Sequence, residues 1–153
     1  MTRIDFYFNA PDKLGMAVTL ARKAYAKKNR LLVYTSDAAQ LDAFDKLLWT
    51  APATGFLPHC RLGAKAAAET PILLSNDTRM DADAVPHHDV LMNLDHDCPA
   101  NFSRFERLLE IVSRDDADDR ARARARLKFY RDRGYEIVTT DIATLKSAAK
   151  EPA

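Results

Sequence analysis

The stretch RIDFYFNAPDKLGMAVTLARKAYAKKNRLLVY, residues 3–34, decides the fold. RIDFYF, residues 3–8, has the β-branched and aromatic content of a strand. NAPD breaks that pattern with Pro11 and offers Asp12 as a helix N-cap. Leu14, Ala17, Val18, Ala21 and Tyr25 then recur at helical spacing and predict one apolar helix face. Lys27, Lys28 and Arg30 close the helix, where cations oppose the negative end of its dipole. LLVY at 31–34 is short and wholly apolar, as in a strand buried on both faces. Strand, helix and strand in this order predict a parallel pair joined by a right-handed crossover.

Outward from this unit, Asp37-Ala38-Ala39-Gln40 resembles a capping box that opens a second helix, with Leu41, Phe44, Leu47 and Leu48 facing inward. TAPATGFLPHCRLG, residues 50–63, holds two prolines and two glycines and reads as an irregular loop. PILL at 71–74 and DVLMNL at 89–94 read as strands separated by a polar connection at 75–88. Phe102, Phe105, Leu108, Leu109 and Val112 mark a third helix by their spacing. A basic helix, RARARARLKFYRDRGY, follows an acidic break, with Gly134 at its C′ position. YEIVTT at 135–140 is a last strand, and a frayed tail begins near 145. The expected fold is a three-layer α/β/α Rossmann-like sheet, mostly parallel, of about five strands with helices on both faces, in a single domain over 1–153.

Composition narrows the function classes. Hydrophobic residues are 47% and charged residues 29%, an ordinary globular balance, and a net charge of +1 argues against a nucleic-acid binder basic over a whole face. No stretch reaches the ~18 apolar residues of a membrane span, and the N-terminus lacks the apolar core of a signal peptide. Cys60 and Cys98 have no framework spacing, so reduced thiols in a cytoplasmic protein are the expectation.

Catalytic signals are sparse. The first strand-to-helix turn, NAPDKLG, lacks the glycines that bring a backbone against a pyrophosphate, and four glycines in the chain leave neither GxGxxG nor GxxxxGK[ST]. Asp37 sits where a dinucleotide fold keeps a ribose-binding acid, so a small nucleotide-binding enzyme is the alternative reading; a helix cap explains Asp37 equally well. His59-Cys60 and His96-Asp97-Cys98 are zinc-ligand types at spacings of no usual module. The serines sit in no GxSxG elbow. The expectation is a binding protein with no catalytic residue, metal or cofactor.

The basic helix carries the binding signal. At about 100° per residue, Arg120, Arg124 and Arg131 fall within a narrow arc with Leu127 at its edge. Ala123, Leu127 and Tyr130 make an apolar strip facing the body of the protein, and Arg122, Arg126 and Arg133 form a second basic stripe. Guanidinium forks beside an apolar edge suit a ligand that carries both carboxylates and a hydrophobic group, such as an acidic peptide, and the alternative reading is a helix whose charged stripes are simply solvated.

Three stretches, RIDFYF, LLWTAPATGFLPH and RARLKFYRDRGYEI, together resemble the chi subunit family of bacterial DNA polymerase III holoenzyme. The specific signatures are LW followed by the P…F.PH pattern, and YR..G[YF]. The resemblance implies a non-catalytic accessory subunit of the clamp-loader assembly, part of a DNA-directed DNA polymerase. It implies binding of the acidic C-terminal tail of single-stranded DNA-binding protein, which ends in Pro-Phe. On that resemblance Arg120, Arg124 and Arg131 fall on basic positions of the tail pocket, Val112 on an apolar wall and Lys128 at the rim. Leu127 stands where the family has tyrosine. The resemblance also implies docking to the psi subunit through Trp49, Phe56, Leu57 and Pro58, an aromatic pair on a proline-stiffened loop. Contact with nucleic acid is then indirect, and no membrane is involved.

Overall fold

The computed structural model describes residues 2–50, 57–79 and 81–144. Among the described residues seven strands form one sheet: β1 Arg3–Ala10, β2 Leu31–Tyr34, β3 His59–Arg61, β4 Ile72–Ser75, β5 Val90–Asn93, β6 Arg107–Ser113 and β7 Glu136–Asp141. Their spatial order is β3-β4-β2-β5-β6-β1-β7, and every pairing is parallel. Helices α1 Lys13–Ala26 and α2 Ala38–Thr50 pack on one face, and α3 Ala117–Asp132 packs on the other. The three-layer parallel architecture is the expected one, with seven strands in place of five.

Side-chain alternation divides the interior into two cores. Leu31, Val33, Ile72, Leu74, Met92, Leu109 and Ile111 meet α1 and α2, while Ile4, Phe6, Leu32, Leu73, Leu91, Leu108 and Val112 meet α3. Asp12 caps α1, its Oδ1 accepting from the Gly15 amide at 3.1 Å. Asp37 Oδ1 accepts from the amides of Ala39 and Gln40, at 3.0 and 3.2 Å. Gln40 Oε1 receives the Thr35 hydroxyl rather than completing a reciprocal box. Leu41, Phe44 and Leu48 are buried as predicted, but Leu47 is exposed; at the end of α1, Tyr25 likewise turns outward and Leu20 and Ala24 fill the core.

Two local readings are corrected. The segment predicted as a third helix from Phe102 is a single 3-10 turn, Phe102–Arg104, followed by strand β6. Leu108, Leu109 and Val112 are spaced as on a helix, yet a strand covered on both faces needs no alternation and produces the same run. The second correction lies at 50–63, where β3 occupies His59–Arg61 and pairs with β4 as a three-residue edge strand. The polar connection at 75–88 holds among its described residues, with a 3-10 turn at Ala82–Ala84. The predicted frayed tail from 145 lies outside the described residues.

Candidate binding pocket beneath the arginine helix

Helix α3 begins where charge favours it. Asp116 is the N-cap, accepting from the Asp119 amide at 3.1 Å, and Asp118 and Asp119 occupy the positive first turn. The helix ends in a Schellman motif: Gly134 at φ +83°, its amide bonded to Arg131 O, and the Tyr135 amide to Tyr130 O. Between these ends the buried stripe is Asp119, Ala123, Arg126 and Tyr130, at spacings of four, three and four.

Arg126 is therefore not part of a second solvated stripe. It lies 3% exposed against Glu110, which is 0% exposed at the centre of β6. Arg126 Nε donates to Glu110 Oε1 at 3.1 Å and its Nη1 to His96 O at 2.7 Å. The Tyr130 hydroxyl donates to Glu110 Oε2 at 2.7 Å, and Asn93 Nδ2 reaches both carboxylate oxygens. Burial pushes the Glu110 carboxyl up from its ordinary range, and Arg126, Tyr130 and Asn93 pull against that rise. Burial, and then the Glu110 charge, push the Tyr130 phenol far up. Of the remaining pair, Arg122 bonds Asp118 at 3.1 Å and Arg133 stacks 3.6 Å over the Phe129 ring.

The outer face of α3 overhangs the β1–β7 side of the sheet and leaves a cavity of about 410 Å³. Phe6 and Phe8 of β1, Val112 of β6 and Thr139 of β7 meet Ala123 and Leu127 of α3; Arg120, Arg124 and Asn9 add polar groups. Four of the residues singled out by sequence thus converge: Val112, Arg120, Arg124 and Leu127. Lys128 and Arg131 are exposed on α3 beyond the lining. Sequence reasoning missed Phe6, Phe8, Asn9 and Thr139; the strand alternation at 3–8 signalled the two phenylalanines but not what lay opposite them.

The guanidiniums differ in freedom. Arg120, half-buried, donates Nη1 to Arg114 O and is fixed in place. Arg124 is exposed and, among the described residues, takes part in no ion pair or hydrogen bond, so its fork is available to a carboxylate.

Beside this cavity lies the topological switch point. The chain leaves β1 toward α1 on one face and β6 toward α3 on the other, which in open α/β sheets opens a crevice for nucleotides. Here Lys13 Nζ meets Asp119 Oδ1 at 2.9 Å across it. Asp119 Oδ2 accepts from the Ser113 amide at 2.9 Å, and the Arg114 amide bonds Ala10 O. Burial works to raise the Asp119 carboxyl, but the Ser113 amide and Lys13 outweigh it and hold the group below its ordinary range. The crevice is bridged by the protein's own Lys13–Asp119 ion pair.

The second predicted surface is partly visible. Trp49, at the end of α2, is 61% exposed, its ring 4.7 Å from that of His59. His59 is in turn held between Leu57 O and Asp45 Oδ1. Leu57 is buried in the α1/α2 core and Pro58 is half-buried, while Phe56 lies outside the described residues. His59-Cys60 on β3 and His96-Asp97-Cys98 after β5 are separated by strands β4 and β2.

Comparison with known proteins returns one family and two relatives. Residues 1–138 match the family model described as DNA polymerase III chi subunit, HolC. The DNA polymerase III subunit chi of Pseudomonas aeruginosa is 32% identical over 141 residues, covering 90% of this chain and 94% of that protein. The protein of the same name from Haemophilus influenzae is 27% identical over 127 residues, covering 83% and 85%.

Proposed function

Because this chain belongs to the DNA polymerase III chi subunit family, we propose that its α3 cavity receives the acidic C-terminal tail of single-stranded DNA-binding protein. On this reading it is a non-catalytic accessory subunit that tethers the clamp-loader assembly to coated single-stranded DNA. The observation that carries the reading is the convergence of Val112 and Leu127 with Arg120 and Arg124 on one cavity. Phe6, Phe8, Val112 and Leu127 offer apolar surface of a size suited to a terminal phenyl ring, and the arginines suit the carboxylates around it. Charge would steer the encounter, and the apolar contact would supply short-range specificity.

The test is fluorescence anisotropy with a labelled peptide copying the tail of the cognate single-stranded DNA-binding protein, beside the same peptide lacking its last Phe. Salt-sensitive binding that disappears with the Phe is the expected result, because exposed pairs are screened over about 8 Å at physiological ionic strength. Equal binding of both peptides would exclude the cavity as receptor. Docking to a psi subunit is proposed for the Trp49 surface. Exposed Trp49 is its anchor, its ring against that of His59, which follows the half-buried Pro58 in the chain.

A further inference from the structure

From Lys13 to Ser36 the chain contains six cations and no acid, although the whole chain has 23 Lys and Arg against 22 Asp and Glu. Lys13 is consumed by Asp119 at the switch point. The other five, Arg22, Lys23, Lys27, Lys28 and Arg30, gather at the C-terminal end of α1, and among the described residues none is in an ion pair. Beside them is a second concavity, about 460 Å³, lined by Tyr25, Ala26, Lys28, Asn29, Arg30 and Pro71. Among the described residues no carboxylate is part of its lining, and Asp89 nearby has Oδ2 accepting the Arg30 backbone amide at 3.1 Å. Arg30 is fixed there by Nη2 donating to Ala68 O at 2.8 Å, and Tyr25 is 40% exposed. Lys28 stands at φ +62°, which lets the chain turn between α1 and β2. This concavity opens at the amino ends of β2 and β4, whereas the α3 cavity lies toward the carboxyl ends of β1 and β6 on the other face.

We propose that this groove is a direct contact for single-stranded DNA, taking phosphates on Lys27, Lys28 and Arg30 and a base against Tyr25. The chemistry favours a nucleic-acid backbone over an acidic peptide. Three of the five cations are lysines, which act as point charges on phosphate rather than as carboxylate forks. An aromatic beside a basic groove is the pattern by which single strands are held without sequence preference, and only an unpaired base offers its face to Tyr25. Membership of a replicative polymerase family makes DNA the nucleic acid concerned. The inference does not depend on the tail-binding reading.

The experiment is anisotropy of labelled oligothymidylate with the full chain alone, titrated across salt concentration. Affinity should fall steeply with salt, because phosphate neutralisation releases counterions. Lys27→Gln/Lys28→Gln should weaken binding about 5-fold or more and make the salt slope shallower, and Tyr25→Leu should weaken it without changing the slope. Arg124→Ala serves as control and should leave oligonucleotide binding unchanged. No binding at low salt would overturn the proposal, as would binding unaffected by the lysine pair or lost in Arg124→Ala. Displacement of the oligonucleotide by an acidic peptide that still binds Arg124→Ala would also overturn it, assigning the groove to a peptide. Weakened tail-peptide binding in Arg124→Ala with unchanged oligonucleotide binding separates the two sites.

Discussion

Replacing Arg126 by methionine keeps a long apolar stem but removes both guanidinium bonds, to Glu110 and to His96 O. Glu110 is then left fully buried with only Tyr130 and Asn93 as donors. Breaking one side of a buried ion pair costs about 3–5 kcal/mol, against roughly 5–15 kcal/mol for a whole domain, so the variant should fold with a much lower urea midpoint. Glu110→Gln/Arg126→Met removes both charges and keeps an amide oxygen for Tyr130 and Asn93, so it should be more stable than Arg126→Met alone. Acidity supplies a second signature. Burial already raises the Glu110 carboxyl, and loss of Arg126 removes the leading force opposing it. For a raised carboxyl the stabilisation is fully present below the unfolded value of about 4.3 and is lost as pH rises through the folded one. The Arg126→Met deficit should therefore shrink from pH 7 toward pH 4, while the double variant shows no such recovery relative to wild type. Urea unfolding of wild type, Glu110→Gln, Arg126→Met and the double variant across pH measures both. A deficit that is independent of pH, with the two substitutions additive, would refute the ion-pair argument.

Arg124→Ala should weaken the tail peptide by about 5–10-fold, on the order of 1 kcal/mol once an exposed pair is discounted for screening, with unfolding midpoints unchanged. Asp119→Asn loses the Lys13 pair and should cost about 1–3 kcal/mol at pH 7. Because Asp119 is held below its ordinary range, its contribution is present above about 3.9 and is lost as pH falls through the lower folded value, so the variant's acid limb should be flatter in thermal melts. Trp49→Ala should leave the protein folded, with a cooperative urea transition, but abolish co-elution with a psi subunit on size exclusion.

The first half of the fold was legible because its signals are local. Asp12 and Asp37 cap helices wherever they stand before an apolar periodicity, and LLVY has no polar residue to permit a surface position. Strand β6 was not legible, because LLEIV covered on both faces carries no period that separates it from a helix. Arg126 was misread for a related reason. Buried Arg126 is held by Glu110, sixteen residues away in sequence, and by His96 O, neither of which helical projection reveals, so projection assigns the arginine to water. Half of the pocket was visible as a row on α3. The other half is strand side chains whose position under that row depends on the order β6-β1-β7, which no local pattern states.

That order also governs when the protein can assemble. Strand β1 pairs with β6 and β7, aligning Arg3 with Arg107 and with Glu136, so among the described residues its lateral partners lie more than a hundred residues further along the chain. Such distant pairings fold slowly and leave apolar strand surface waiting. The α3 cavity draws on Phe6, Val112 and Thr139, nearly the whole length of the chain. Without β7 the cavity loses Thr139 from its wall, so its shape depends on the pairing of β7 with β1.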